Sequence, residues 1–298
     1  MTNFLASLLN IATLVFAVSS MLSVGFSYTV RELLEPLRNA RLVIGALVAN
    51  FVLVPLLAYA ITGVLSLGEA REIGLILVAS AAGAPFLIKL TQAADGDLAL
   101  ASGLLVLLVM VTIGYMPIVV PLIAPDAEVS ATSIAMPLVL TMLLPLVIGL
   151  FIDAKFERWA DRLQPLMNKA SSIALVVLLV TTILTNFGRI LNVFGTGAIL
   201  AALLFIAGAF VLGYLFGMTG RGTREELGLA TAQRNIAAAT VVTTQSFGDP
   251  DTLVMVVITS IVTMVILFPV ARALRKRGEA QAKTHGRRVT AHRKEPLV

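Results

Sequence analysis

Apolar residues in this chain occur in long runs that are separated by short polar stretches. Nine runs can be placed, each long enough to cross a hydrocarbon core of ~30 Å as a helix. They cover approximately residues 4–28, 42–65, 73–94, 98–124, 136–153, 166–187, 198–218, 227–247 and 253–274. Because the intervening stretches are short, consecutive runs are expected to be antiparallel neighbours. The pattern predicts an all-α membrane protein with nine transmembrane helices.

Two of these runs are interrupted near their middle, in the stretches 81–97 and 230–239. The interrupting residues are Gly83, Pro85 and Lys89 in the first stretch and Gln233, Arg234 and Asn235 in the second. Broken helices expose unwound backbone and half-helix ends, which a membrane tolerates only where they line a polar cavity. We therefore expect the two stretches to face each other and to form the binding site.

The composition narrows the class of protein further. Hydrophobic residues make up 58% of the chain and charged residues 13%, with a mean hydropathy of +0.96, whereas average soluble domains carry about 25% charged residues. There is no cysteine, and both histidines, His285 and His292, follow the last apolar run. Thiolate and imidazole chemistry in the membrane are excluded, so we predict no enzyme activity, no metal and no cofactor.

Positive charge predicts the orientation of the chain in the membrane. Arginine and lysine are concentrated in alternate loops and in the tail from Arg275 onward, and such residues mark the cytoplasmic side. The N-terminus is therefore expected outside and the C-terminus in the cytoplasm. Residues 1–274 form a single transmembrane domain in this interpretation, and 275–298 form a basic tail that we expect to be disordered. The net charge of +5 reflects this topology, so no nucleic-acid partner is predicted.

Lys89 and Arg234 are the lysine and arginine that lie well inside predicted spans. A charge in the middle of a membrane helix costs about 2.5–3.5 kcal/mol on insertion scales, and no Asp or Glu lies at a similar depth in the sequence pattern. Either the two side chains extend toward a membrane surface, Lys89 toward Asp95 for example, or they bind an anionic substrate. Half-helix N-termini near Pro85 and Asn235 would add a positive dipole end for such an anion.

A short pattern hints at an internal repeat. Thr91-Gln92 is followed by Gly96-Asp97, and Thr244-Gln245 is followed by Gly248-Asp249. The two helices that carry these pairs are predicted to run in opposite directions, as an inverted-topology repeat requires.

With these features, the chain resembles the bile acid:sodium symporter family, most clearly over 73–97 and 233–247. The resemblance implies an inverted-repeat transporter with two discontinuous, crossing helices. Its panel helices would be 4–28, 136–153 and 166–187, and its core helices 42–65, 73–94, 98–124, 198–218, 227–247 and 253–274. It also implies a small organic anion as substrate (a bile acid, a steroid sulfate or a small carboxylate) and a location in the bacterial inner membrane.

The sequence departs from this family at the positions that ligate sodium. Apolar residues stand at five of the family's ligand positions, namely Leu87, Ile88, Ala101, Leu105 and Ala230. A further glutamine position is Asn50, and Asn235 keeps the identity that the family shows. Sodium is a hard cation that needs several oxygen ligands, so the resemblance together with these changes predicts that Lys89 and Arg234 replace sodium at the crossing.

The sequence therefore predicts a sodium-independent secondary transporter of organic anions. The predicted substrate-binding residues are Pro85, Phe86, Lys89, Gln233, Arg234 and Asn235. For Gln233 and Asn235, a purely structural role in satisfying the broken backbone is an equal alternative. A sodium-coupled symporter with a non-standard ion site and a non-transporting membrane sensor stay open, as do the monomer and the homodimer.

Overall fold

The computed structural model of the protein describes residues 2–123, 131–193, 195–217, 222–246 and 250–292. Over these ranges the chain is helical, and backbone pairing of the β type is confined to a single bridge. The helices are α1 (Thr2–Gly25), α2 (Val30–Leu34), α3 (Ala40–Val48), α4 (Val54–Val64), α5 (Glu69–Ser80), α6 (Phe86–Ala94), α7 (Leu98–Ile123), α8 (Ala131–Leu138), α9 (Leu144–Asn192), α10 (Ala198–Phe216), α11 (Thr223–Ala232), α12 (Ile236–Ser246) and α13 (Pro250–His292). One 3₁₀ turn (Pro36–Arg38) precedes α3, and π-helical turns at Ala49–Leu53 and Val139–Leu143 continue α3 into α4 and α8 into α9.

Within the described ranges, six helical stretches are long and apolar enough to cross a membrane: Ser7–Gly25, Ala40–Val64, Leu98–Leu122, Ala135–Thr185, Ala198–Phe216 and Asp251–Ala280. The predicted runs 73–94 and 227–247 are each divided into two half-helices, none of which is long enough to span alone. The predicted runs 136–153 and 166–187 lie on either side of a kink at Phe156, where α9 has non-helical dihedral angles and two helices join. The structure thus confirms a helical membrane protein, while the count of nine crossings and the inverted repeat stay predictions.

The surface of the bundle is apolar where lipid would surround it. Large side chains such as Ile11, Leu56, Ile118 and Val176 are more than half exposed. Lipid tails are as apolar as these side chains, so their exposure costs nothing in a bilayer.

α1 packs along α9, and this contact is very close. A Cβ atom added at Gly25 would lie 2.7 Å from the carbonyl oxygen of Leu146, and one added at Gly149 would lie 2.9 Å from Gly25 Cα. Small residues allow two membrane helices to approach backbone to backbone. The glycine pair therefore fixes the pairing of the first helix with the start of α9.

The half-helices pack among the other long helices. α5 and α6 contact α13 and α7, and α11 contacts α10, α7 and α13. α12 contacts α5, α8 and α13. The two broken helices consequently meet inside the bundle, away from its lipid-facing surface.

The last helix is longer than the sequence predicts. α13 continues beyond 274 to His292, where disorder was expected from Arg275 onward. Arg275 Nε donates to Glu279 Oε1 at 3.0 Å on an exposed face, and such i,i+4 pairs support helix formation. The second Gly-Asp pair, at 248–249, lies outside the described residues.

Candidate functional site

The segment between α5 and α6 crosses the segment between α11 and α12. Ala82 and Arg234 form an antiparallel bridge, and the backbone N–H of Asn235 donates to the carbonyl oxygen of Ala81 at 2.8 Å. The two stretches that the sequence singled out therefore meet directly, and each supplies hydrogen-bond partners for the other's unwound backbone.

The unwound segment 81–85 is also held by α7. Gly83 has φ +75°, and a Cβ atom there would lie 2.6 Å from the backbone nitrogen of Val109, so only glycine fits. The hydroxyl of Thr112 donates to the carbonyl oxygen of Ala82 at 2.9 Å. Contacts with α7 thus stabilise the non-helical conformation of this segment and provide a hydrogen-bond donor for one of its backbone carbonyls.

Asn235 connects the crossing to the start of α12. Its side-chain amide donates to the carbonyl oxygen of Gly83 at 2.9 Å, and its Oδ1 accepts from the backbone N–H of Ala238 at 3.0 Å. The second contact caps the N-terminus of α12 in the manner expected of asparagine. The amide also lies 3.2 Å from Met142 Sδ. These contacts of Asn235 are of the kind expected for a structural role, which the sequence analysis named as the alternative to substrate binding.

Arg234 is fully buried, with 0% of its surface exposed, and oxygen atoms surround its guanidinium. Nη1 donates to Asn50 Oδ1 at 2.7 Å and to the Thr231 carbonyl at 3.3 Å. Nε donates to the Val78 carbonyl at 3.3 Å, and Nη2 donates to the carbonyls of Ala79 and Asn50. The carbonyls of residues 78, 79 and 231 lie at the C-terminal ends of α5 and α11, where helix carbonyls lack intrahelical partners and the dipole is negative. The crossing therefore has the features of a cation site, and Arg234 fills it.

Asn50 is a site residue that the sequence-based list of substrate-binding residues omitted. It lies in the π-helical turn Ala49–Leu53, a distortion that often occurs at functional sites. Its amide nitrogen donates to the Ala46 carbonyl at 2.9 Å and to Thr231 Oγ1 at 3.1 Å. These two contacts orient Oδ1 toward Arg234. The sequence feature that could have identified this residue is the presence of an asparagine inside a long apolar run.

Lys89 lies away from the crossing, on α6 about one helical turn beyond Pro85. Its half-buried ammonium donates to Asn168 Oδ1 at 2.5 Å, to the Asn168 carbonyl at 3.4 Å and to Ser172 Oγ at 3.0 Å. Asn168 and Ser172 belong to the second half of α9, so this lysine joins the broken-helix part of the bundle to the α1–α9 pair. Its described partners are all neutral, which leaves its positive charge without a compensating carboxylate.

The remaining predicted site residues have different surroundings. Pro85 precedes α6 as its N-cap residue, and Phe86 is buried edge-on against Phe268 of α13, with ring centroids 5.2 Å apart. Gln233 is buried, and its Nε2 donates to the Arg234 carbonyl at 3.2 Å. Its Oε1 has no hydrogen-bond partner among the described residues, so it can accept a hydrogen bond from a hydroxyl group or from water.

The positions at which the resemblance places sodium ligands are apolar in the structure as well. Leu87, Ala101, Leu105 and Ala230 are buried, and Ile88 packs against the same hydrophobic core. These side chains offer no oxygen, whereas sodium requires several. Among the described residues, no cluster of His, Cys, Asp or Glu could hold a metal ion either. The residues present do not fit a sodium site of the family type.

The arrangement defines a helical membrane protein with two broken helices that cross at a buried cation. A family model described as the Sodium Bile acid symporter family matches residues 14–196. The match covers more than half of the chain, and the chain belongs to this family. The family predicted from the two broken helices is therefore confirmed.

Curated relatives extend this similarity over most of the chain. The chain is 26% identical over 258 residues to "Probable sodium/metabolite cotransporter BASS1, chloroplastic" of Arabidopsis thaliana, a match over 84% of this chain and 63% of the relative. It is 24% identical over 237 residues to the BASS2 protein of Oryza sativa subsp. japonica, over 77% of this chain and 56% of the relative. It is also 24% identical over 235 residues to the BASS3 protein of Arabidopsis thaliana, over 77% and 54%. The matches thus span little more than half the length of these relatives, whose names describe transporters and not enzymes, in agreement with the sequence-based expectation.

Proposed function

We propose that this protein is a sodium-independent secondary transporter of small organic anions. The observation that carries the proposal is that the two intramembrane cations, Lys89 and Arg234, have only neutral oxygen atoms as their described hydrogen-bond partners. Arg234 occupies the place of a coupling ion, and Lys89 is available to bind a substrate.

Arg234 accounts for the absence of sodium coupling. In transporters with broken helices, unwound carbonyls and half-helix C-termini commonly coordinate the coupling ion. Here such carbonyls hydrogen-bond to the guanidinium instead. A covalently attached cation cannot leave during the transport cycle, so the positive charge stays in place and no sodium ion needs to bind with the substrate.

Lys89 accounts for the anionic substrate. Its ammonium lies between α6 and α9, where Asn168 and Ser172 supply neutral oxygens. A carboxylate or sulfate that replaced these oxygens would keep the hydrogen bonds to the ammonium and add the attraction of an opposite charge. The substrate would thereby bind at the junction of two helical layers that are able to move relative to each other.

The transport mechanism follows from the location of this junction. We assign α1 and the helical stretch 131–187 to a panel domain and the remaining long helices to a core domain that contains the crossing. Rocking of the core against the panel would expose Lys89 to each side of the membrane in turn. The positive-inside rule places the N-terminus outside and the C-terminus in the cytoplasm of an inner-membrane protein.

A sodium-coupled symporter is the second candidate, and the names of the relatives favour it. The three relatives are each called a sodium/metabolite cotransporter. Sodium coupling here would require a site built from backbone carbonyls away from Arg234.

Thermal unfolding of the purified protein with a panel of organic anions separates these candidates. A ligand of the native state raises the unfolding midpoint, and the panel should include a bile acid, a steroid sulfate and short carboxylates, each tested in sodium and in potassium buffer. We expect stabilisation by at least one anion to the same extent in both buffers. Stabilisation that requires sodium would select the second candidate instead.

The role of Lys89 is tested by Lys89→Ala with Lys169→Ala as the matched control. Lys169 is exposed on α9 next to Asn168, so its removal changes the net charge equally. Loss of a charge-assisted hydrogen bond of about 1.5–3 kcal/mol should weaken anion binding by roughly 10- to 150-fold in Lys89→Ala only. Equal binding by the two variants would exclude Lys89 as the anion partner.

A further inference from the structure

Glu226 is a carboxylate buried at the junction of the two broken helices. It lies in the first turn of α11, immediately before the predicted span 227–247, and only 2% of its surface is exposed. Its Oε2 accepts a hydrogen bond from Thr91 Oγ1, near the end of α6, at 2.9 Å. Its Oε1 packs against Gly96 in the turn between α6 and α7, so closely that a Cβ atom at that glycine would lie 1.8 Å away. Glu226 thus connects the start of one broken helix to the end of the other.

The opposite end of the bundle has a comparable junction with balanced charges. There Arg71, in the first turns of α5, forms an ion pair with Asp251 at the start of α13, at 2.6 Å. This contact also connects the start of one broken helix to the start of the helix that follows the other. One junction therefore joins an acid to a base, whereas the junction at Glu226 joins an acid to a hydroxyl and a glycine.

The charged groups that face Glu226 are themselves acidic. Asp97 approaches from the turn between α6 and α7, and Glu225 is its neighbour on α11. Arg224 lies over the ring of Tyr214 of α10, with Cζ 5.9 Å from the centroid. Among the described residues, no lysine, arginine or histidine forms an ion pair with Glu226. The position therefore favours the uncharged form of the carboxyl group.

A cavity on the predicted cytoplasmic side lies next to residues that neighbour Glu226. A cavity of about 450 Å³ is lined by Glu32, Glu35, Asp97, Thr223 and five other residues. Asp97 follows Gly96 directly, and Thr223 lies one turn before Glu226 in α11. Water in this cavity would consequently lie close to the buried carboxyl group.

We propose that Glu226 is a proton-binding site that couples anion transport to proton movement. The carboxylate takes up one proton to become a carboxylic acid and releases the same proton when the core domain moves. The inference rests on the proposed transport function. A proton, rather than sodium, is then the ion that the substrate requires.

The affinity of this site for protons fits the proposal. Burial raises the pKa of Glu226 to about 7; the charge of Asp97 adds to this rise, while the hydrogen bonds from Thr91 and from the Asp97 backbone act against it. Because the folded state binds this proton more tightly than the unfolded state does, protonation stabilises the folded state at pH values below the ordinary pKa of a glutamate. That stabilisation is lost as the pH rises toward 7 and stays absent above it.

The first test measures proton binding without any anion. The thermal unfolding midpoint of the purified protein is followed from pH 5 to pH 9 for the natural sequence, for Glu226→Gln and for the control Glu225→Gln. We expect the midpoint of the natural protein and of the control to fall as the pH rises toward 7 and then to level off. Glu226→Gln, which is isosteric and cannot titrate, should lack this fall. Retention of the full pH dependence in Glu226→Gln would overturn the proton site.

The second test measures coupling in proteoliposomes with an anion that stabilises the natural protein. Uptake should fall by about tenfold from pH 6 to pH 8 on the Glu226 side, as the occupancy of one group with this pKa requires, and a pH dye should report proton movement together with the anion. Glu226→Gln should still bind the anion but move no protons. Proton-coupled uptake by Glu226→Gln would overturn the inference alone, whereas failure of every anion to bind the natural protein would instead remove the proposed function.

Discussion

Replacing Arg234 with alanine removes the guanidinium that lies at the crossing of the two broken helices. The carbonyl oxygens at the ends of α5 and α11, together with Asn50, would lose their donor. They are buried and lie close together, so each would lose a hydrogen bond to the guanidinium; the Val78 carbonyl would keep the backbone N–H of Ala81 at 3.2 Å. We expect the variant to be strongly destabilised, although the substitution also removes the free-energy cost of burying a charged guanidinium.

The size of the effect follows from the hydrogen-bond geometry. Two of the five contacts, to Asn50 Oδ1 and to the Ala79 carbonyl, are short, while the other three lie at 3.3–3.5 Å and are weak. At about 1.5–3 kcal/mol for each short charge-assisted bond, the loss is roughly 3–6 kcal/mol. This corresponds to a decrease of about 10²- to 10⁴-fold in the ratio of folded to unfolded protein.

The assay is thermal unfolding in detergent, with Arg224→Ala as the control. Arg224 is exposed and makes a cation–π contact with Tyr214, so its loss should cost about 0.5–1 kcal/mol. Arg234→Lys should lie between the natural protein and Arg234→Ala, because an ammonium offers three donors against five. Methylguanidinium added at millimolar concentration should raise the midpoint of Arg234→Ala and leave the control unchanged.

One result would refute this reasoning. If Arg234→Ala unfolds within about 1 kcal/mol of the natural protein, the carbonyl oxygens at the crossing do not depend on a cation. Arg234 would then be a tolerated charge, and its role as a replacement for sodium would have no energetic basis.

Three further variants test other parts of the crossing and its two ends. Gly83→Ala should prevent accumulation of folded protein in a membrane-expression assay, because of the positive φ and the 2.6 Å approach to Val109; normal yield would contradict this. Thr91→Val removes the hydrogen bond that lowers the pKa of Glu226, so the pH at which the unfolding midpoint levels off should rise; an unchanged or lower pH would contradict that assignment. Arg71→Gln should cost at most about 1 kcal/mol in thermal unfolding, since its ion pair is solvent-accessible, with 24% and 47% of the two side chains exposed; a much larger loss would show that the outer junction is structurally essential.

The positions of the broken helices could be predicted from the sequence because the cause is local. Gly83 and Pro85 disfavour a continuous helix, and the polar residues from Gln233 to Asn235 interrupt an apolar run at a comparable depth. The structure places the breaks at these residues and makes the two segments cross. The long apolar runs likewise could be predicted without tertiary information, because the number of apolar residues in a run sets the helix length, and that length must match the hydrophobic thickness of the membrane.

The partners of the charged residues could not be predicted in this way. The sequence paired Lys89 and Arg234 as joint replacements for sodium, whereas the structure separates them. Arg234 contacts the crossing carbonyls, and Lys89 faces α9. The direction of a side chain on a helix depends on how the helix is rotated against its neighbours, and an apolar run with little amphipathic pattern does not specify that rotation.

The sequence by itself determined that this is a helical membrane protein, where two helices break and which family it resembles. Only the tertiary structure decided which oxygens surround each charge. Lys89 and Asn168 are 79 residues apart, Thr91 and Glu226 are 135 apart, and Asn50 and Arg234 are 184 apart. Contacts over such separations arise when whole helices pack, so the chemistry of each buried charge is a property of the packed bundle and not of any single segment.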